Sequence, residues 1–196
     1  MFQKNISALL LLAMLGACAA PKPRPTPAPA PVPPPTAQPA PSSVSVNGLE
    51  QKIIEATNAF RSQNGLGRLK PKVQLIVVAQ NHARNMARQD KFGDSGQNGH
   101  ILDGHNFEYR IEASGYSFER AAENVGYERV HSDPAVAMME DWKRSPGHRR
   151  NMLTPDITEI GVGAAQGKSG RWYFVQVFGR PQAAPLPKQT MLGGHS

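Results

Sequence analysis

A single cysteine, Cys18, occurs among the 196 residues. The chain beyond it therefore has neither a disulfide nor a thiol nucleophile and must hold together by burying a core. Roughly 130 residues are enough for one core of ordinary size. After an apolar run at the N-terminus, no stretch approaches the ~18 residues needed to cross a bilayer. There is no HExxH helix motif and no GxSxG elbow, which removes the commonest zinc-protease and α/β-hydrolase signatures. Aromatic residues make up only 7% and are not interleaved with basic ones, so a stacking platform for nucleic acid is excluded.

What is present begins with Lys4 and the apolar run Ile6 to Ala17, too short to span a membrane and ending in Leu15-Gly16-Ala17-Cys18. This reads as a signal peptide over 1–17 with a lipobox, leaving Cys18 as an acylated N-terminus. Two or more acyl chains give stable attachment, each buried methylene contributing about 0.8 kcal/mol. The expected location is outside the cytoplasm. Ala19 after the cysteine favours the outer membrane of a Gram-negative host, and a Gram-positive host would place the protein on the outer face of its plasma membrane. From Pro21 to Pro41, 11 of 21 residues are proline, so residues 18–47 form a lipid-anchored Pro/Ala-rich linker of polyproline II type, reaching up to roughly 90 Å.

A single domain over 48–180 follows, with a flexible tail at 181–196. Leu49, Ile53, Ala56, Thr57 and Phe60 predict a first helix ended by Gly65 and Gly67. Leu75, Val78, Ala79, His82 and Met86 form the stripe of a second helix, where His82 reads as a hydrogen-bonded structural histidine. A short third helix spans Phe107 to Ser114. Asp133-Pro134 starts a fourth, with Ala135, Met138, Met139 and Trp142 on its buried face. Ser145-Pro146 breaks it and opens another short helix. Ile160, Val162 and Ala164 alternate with glycines, and Trp172 to Phe178 is almost continuously apolar, so two strands meet across a turn at Gln166 to Gly170. A strand apolar on both faces needs cover on both faces.

Candidate chemistry concentrates in three places: His100 in NGHILDG, Glu123 in AAENVGYE and His148 in SPGHRRNML. Each lies among Gly, Pro or Asn, which marks them as turn-associated positions and not as members of a periodic face. With Gly104, Arg110, Gly115-Tyr116, Trp142, Asn151, Glu159-Ile160-Gly161-Val162-Gly163 and the Trp172 to Gly179 strand, these blocks run in an order that resembles the CAP superfamily, also called SCP/TAPS, in its short bacterial form. The resemblance covers Leu49 to Arg180. It implies an α+β fold, an α-β-α sandwich with a small antiparallel sheet between helices, and a cleft lined by a His, Glu, Glu, His set. His100, Glu123 and His148 match three of those four; the second glutamate falls on Ser145. Asp141, one helical turn earlier, is the residue able to lend a carboxylate in its place, and Arg110 reads by default as a solvated charge, with a carboxylate beside the cleft as its alternative partner.

Two imidazoles and one carboxylate suit zinc or another divalent cation with an open coordination position. The net charge of +7, with Arg84, Arg88 and Lys91 on the second helix and Lys143, Arg144, Arg149 and Arg150 near His148, suits an anionic envelope polymer or lipid and, at the acylated end, a membrane. Neither Ser145 nor a pairing of Glu123 with Asp141 makes a convincing serine or glycosidase centre. No catalytic residue is assigned. The reading is an exported, lipid-anchored binding module of the cell envelope, its alternative a metal-dependent hydrolase acting on an envelope polymer or peptide.

Overall fold

A capping box opens the first helix, α1 (Gly48–Gln63), in the computed structural model, which describes residues 45–94, 99–129 and 131–183. Asn47 Oδ1 accepts from the Leu49 and Glu50 amides at 3.0 Å, and the Glu50 carboxylate accepts the Asn47 N–H at 2.8 Å. Amides that a helix start leaves without partners are thereby satisfied. The other end stops as predicted, with Gly65 at φ +73 just past the cap. The signal peptide, the lipobox with Cys18, the linker up to residue 44 and the tail from 184 lie outside the described residues.

The second helix, α2 (Val73–Gln89), follows a two-residue strand, β1 (Lys70–Pro71). Then come α3 (Phe107–Ala113), β2 (Phe118–Glu128), α4 (Pro134–Arg144), α5 (Pro146–Met152), β3 (Glu159–Gln166) and β4 (Trp172–Pro181). Asp133 caps α4 through the Val136 amide, and Pro134 and Pro146 occupy first-turn positions where their missing N–H costs nothing. β1 and β2 are both additions to the elements read from the sequence. β2 corrects the reading of Glu123 as a turn-associated residue, because Glu123 lies inside this eleven-residue strand.

The four strands are ordered β1-β3-β4-β2. The three long strands are antiparallel, and β1 adds a short parallel edge to β3, which makes the sheet mixed. Side chains alternate across it with period two. Phe174 and Phe178 of β4 join Ile160 and Val162 of β3 in a core completed by α1, α4 and α5, including Ile53, Phe60 and Trp142. Tyr173, Val175 and Val177 face the other way, against Leu75, Val78 and Met86 of α2 and Ile111 of α3. Each of these buried side chains contributes on the order of 2 kcal/mol by leaving water. The result is an α+β fold, an α-β-α sandwich, and β4 is apolar on both faces because it is covered on both.

On the α2 side the middle of β3 presents Gly161 and Gly163, flanked by Ala165. A Cβ on Gly161 would stand 2.0 Å from the Leu75 carbonyl carbon, and one on Gly163 would stand 2.3 Å from that of Ala79. Helix α2 therefore rests directly on the backbone of the sheet. That close seat holds His82 at a fixed height over the neighbouring strands.

Candidate functional site

Register decides where Glu123 points. It pairs with Val177, whose side chain belongs to the α2–α3 core, whereas its neighbour Asn124 pairs with Gln176 on the opposite face. The Glu123 side chain is fully enclosed, and both of its oxygens are engaged. Oε1 meets His100 Nδ1 at 3.1 Å, and Oε2 accepts from Arg110 Nη2 at 2.7 Å. A buried carboxylate needs such partners, because an isolated one would cost several kcal/mol in lost hydration. Arg110 is thus not the solvated charge of its default reading but takes the alternative, a carboxylate partner. Arg110 also donates through Nη1 to the His100 and His105 carbonyls, tying α3 to the loop that carries His100.

An ionised carboxylate only accepts, so a neutral His100 carries its proton on Nδ1 and keeps the lone pair on Nε2. The loop before it is fixed by His82, 2% exposed, whose Nε2 lies 2.7 Å from the Gly99 carbonyl. His82 is therefore the structural histidine expected of its apolar stripe. Burial pushes its pKa below the ordinary value, and the nearby Arg110 charge adds to the effect. Gly99 sits at φ +82, and a Cβ there would strike Phe92 and Val125 at 2.8 Å, so only glycine allows this turn.

His148 approaches from the other layer. Asn124 Nδ2 donates to its carbonyl at 3.2 Å, and Asn151, one turn later on α5, donates to the Glu123 carbonyl at 3.1 Å and to Asn124 Oδ1 at 2.9 Å. The C-terminal end of α5 is held by the buried Arg61, which donates to the Met152 and Thr154 carbonyls at 2.8 and 2.9 Å. Two asparagines thus fasten α5 to the strand bearing Glu123. The His148 imidazole packs edge-on to Trp142, with ring centroids 6.3 Å apart. Its pKa is lowered by burial first and then by the charge of His100.

Asn124 and Asn151 were visible in the sequence only as members of a motif. Alternation along β2, with Ala121, Glu123 and Val125 on one face and Ala122 and Asn124 on the other, is the signal that separates their roles. Asp141 goes elsewhere: its carboxylate pairs with Arg144 and is half exposed, and it stands beside Glu128 at the far end of β2. Burial, together with Asp141, pushes the Glu128 carboxyl above the usual range. Ser145 lies at the N-cap of α5 but its hydroxyl caps no amide. Among the described residues, no three His, Cys, Asp or Glu side chains group closely enough to hold a metal ion.

A three-layer sandwich with a histidine and a buried Glu–Arg pair at one sheet edge defines the class of domain. Residues 54–178 match the CAP, cysteine-rich secretory protein, family, and the chain belongs to it. The chain is 32% identical over 130 residues to the uncharacterized membrane protein YlbC of Bacillus subtilis, and 31% over 137 residues to the uncharacterized protein YkwD of the same organism. It covers 34% and 49% of those two proteins, so it spans half of their length or less. Among solved structures, an extracellular protein containing a SCP domain from Bacillus anthracis is 30% identical with a TM-score of 0.56, covering 68% of this chain and 41% of that one. An outer surface protein from Borrelia burgdorferi shares the fold at TM-score 0.61 and 19% identity, over 71% of this chain and 97% of its own. None of the described helices is long and apolar enough to cross a membrane.

Proposed function

We propose that this CAP domain is an exported binding module, held at the cell envelope by acyl chains on Cys18 and carried outward on its proline-rich spacer. Its ligand site is the cleft of His100, Glu123 and His148. One observation supports binding over hydrolysis: Glu123 is enclosed, with one oxygen on His100 and the other on Arg110. A carboxylate held this way orients an imidazole, and it is poorly placed to serve as a general base for water. With Ser145 at the position of the family's second glutamate and Asp141 engaged with Arg144, neither position supplies the cleft with a second carboxylate.

The donors available to a cation are the His100 and His148 imidazoles. Glu123 acts on His100 from behind, fixing its tautomer and ring orientation. Two imidazoles fit a divalent ion of zinc type held with modest affinity and open positions, which a carboxylate, phosphate or carbonyl of an envelope ligand can fill. When bound, such an ion supplies a Lewis-acid contact to that ligand. Two relatives of 30% identity or more, one a membrane protein and one an extracellular protein, support placement outside the cytoplasm.

Fractionation and mass spectrometry test the anchored half of this reading. The wild-type protein should sediment with membranes, and its N-terminal peptide should carry acyl mass on Cys18. Cys18→Ser should leave the membrane fraction and lose that mass. An unchanged distribution would refute lipid attachment.

A further inference from the structure

Helices α2 and α3, with Leu102 and His105 of the loop before α3, enclose a half-open cavity of about 550 Å³. We infer that this cavity is a second ligand site, distinct from the cleft, which takes an oxyanion, carboxylate or phosphate, carried on a compact apolar body. None of His100, Glu123 and His148 lines it, and of the residues around the cleft it shares Arg110, which holds Glu123, so the inference goes beyond the cleft reading and is tested on Arg84 and Arg88, which the cleft does not use.

Charge is the first argument. Arg84 and Arg88 stand one turn apart on α2 at the cavity wall, and Arg110 closes it from α3. Like charges at this spacing on a helix disfavour each other by a few tenths of a kcal/mol. Neighbouring acids normally relieve that repulsion, and here they do not. All 15 carboxylate side chains of the chain fall within the described residues, yet none lines the cavity, and neither Arg84 nor Arg88 forms an ion pair among those residues. The two guanidinium groups rest on neutral amides instead: Arg84 on Gln80 and Asn81, Arg88 on Asn85. Asp103, next to the cavity, is taken up by the amides of Asn85 and Gln89. Arg110 spends both terminal nitrogens on the cleft side, and its buried Nε has no hydrogen-bond acceptor. Buried N–H groups are ordinarily satisfied.

Shape and polarity supply the rest. The floor is apolar, with Val78 and Leu102 almost fully buried, and one wall carries Tyr109 stacked on His105 with ring centroids 4.4 Å apart. A volume of several hundred Å³ with an apolar floor and a few convergent charged groups is the usual form of a small-molecule site. Guanidinium groups match the planar, bidentate geometry of carboxylate and phosphate. A ring-sized apolar body against the floor, with its anionic head between Arg84 and Arg88, satisfies both halves.

Amide chemical-shift titrations of the ¹⁵N-labelled full chain in neutral detergent test this with three probes: phenyl phosphate, benzoate and phenol. Both anions should bind at least tenfold more tightly than phenol, with shifts centred on the α2 and α3 amides, Val77 and Ala113 included. The tighter of the two anions identifies the head group. The double variant Arg84→Gln/Arg88→Gln, at exposed positions and with an unchanged melting temperature, should weaken both anions at least tenfold. Phenol binding as tightly as the anions, an unaffected double variant, or shifts centred on 123–125 and 147–151 would overturn the second site.

Discussion

Glu123 illustrates how one residue's role follows from its neighbours. The sequence singles it out by its Ala-Glu-Asn setting, but only strand register shows that its side chain and that of Asn124 leave on opposite faces, one toward His100 and Arg110, the other toward His148. His82 was legible from its place on an apolar stripe, and its chemistry leads to a prediction. Burial lowers its pKa, so as pH falls below the ordinary histidine value near ~6.5 the unfolded chain takes up a proton that the folded one refuses. Stability that is fully present above that pH is then lost, at up to about 1.4 kcal/mol per pH unit for each such histidine. His148 is shifted in the same direction and adds to the slope. Urea unfolding at pH 7.5, 6.0 and 5.0 should show wild type weakening on acidification, and His82→Gln should flatten that dependence while lowering stability at pH 7.5. An identical slope in the variant would contradict a neutral, buried His82.

At the level of elements, the helices were readable because caps and stripes are local: Asn47, Asp133-Pro134 and Ser145-Pro146 all lie where helices begin. Two strands were not. β1 is two residues long and contains a proline, so its pairing with β3 is decided by tertiary contact alone. β2 carries Glu119, Arg120, Glu123 and Asn124, and those polar groups hide an alternation that becomes visible only once His100, Arg110 and Asp156 are there to receive them. The glycines of β3 looked like turn residues in a strand, and their reason is the close seat of α2. Gly161→Ala and Gly163→Ala should each destabilise the domain by about 3 kcal/mol or more, because the obstructing atoms are helix backbone that cannot rotate away. Gly48→Ala, where a Cβ meets nothing within 4 Å, should be neutral or slightly stabilising. Denaturant midpoints of the three variants decide the matter, and equal midpoints for all three would mean that α2 does not press on the sheet.

For the whole molecule, the order of short blocks from His100 to Trp172 carried the fold, since each block ends on a residue that the finished structure needs: His100 on Glu123, Asn151 on Asn124, Gly161 beneath α2. What the sequence left open is which carboxylate, if any, completes the cleft. Spacing along α4 made Asp141 the nearest substitute, and the structure instead gives it Arg144 and Glu128, because α4 ends at Arg144 and Ser145 is already extended, so 141 and 145 do not share a helix face. Asn124, Asn151 and Arg61 fasten α5, which carries His148, to the strand bearing Glu123 and to α1, and the proposal rests on the two imidazoles acting as one site. Zinc titration calorimetry on wild type, His100→Ala and His148→Ala, at pH 7.5 and 5.5, tests this most directly. An imidazole must lose its proton to bind metal, so protons compete as the pH falls through about 6. Wild type should bind one ion with modest affinity at pH 7.5 and at least tenfold more weakly at 5.5, and each single variant should lose at least tenfold at pH 7.5 with its helical content unchanged. Equal binding by all three proteins, or binding indifferent to pH, would contradict a site shared by His100 and His148.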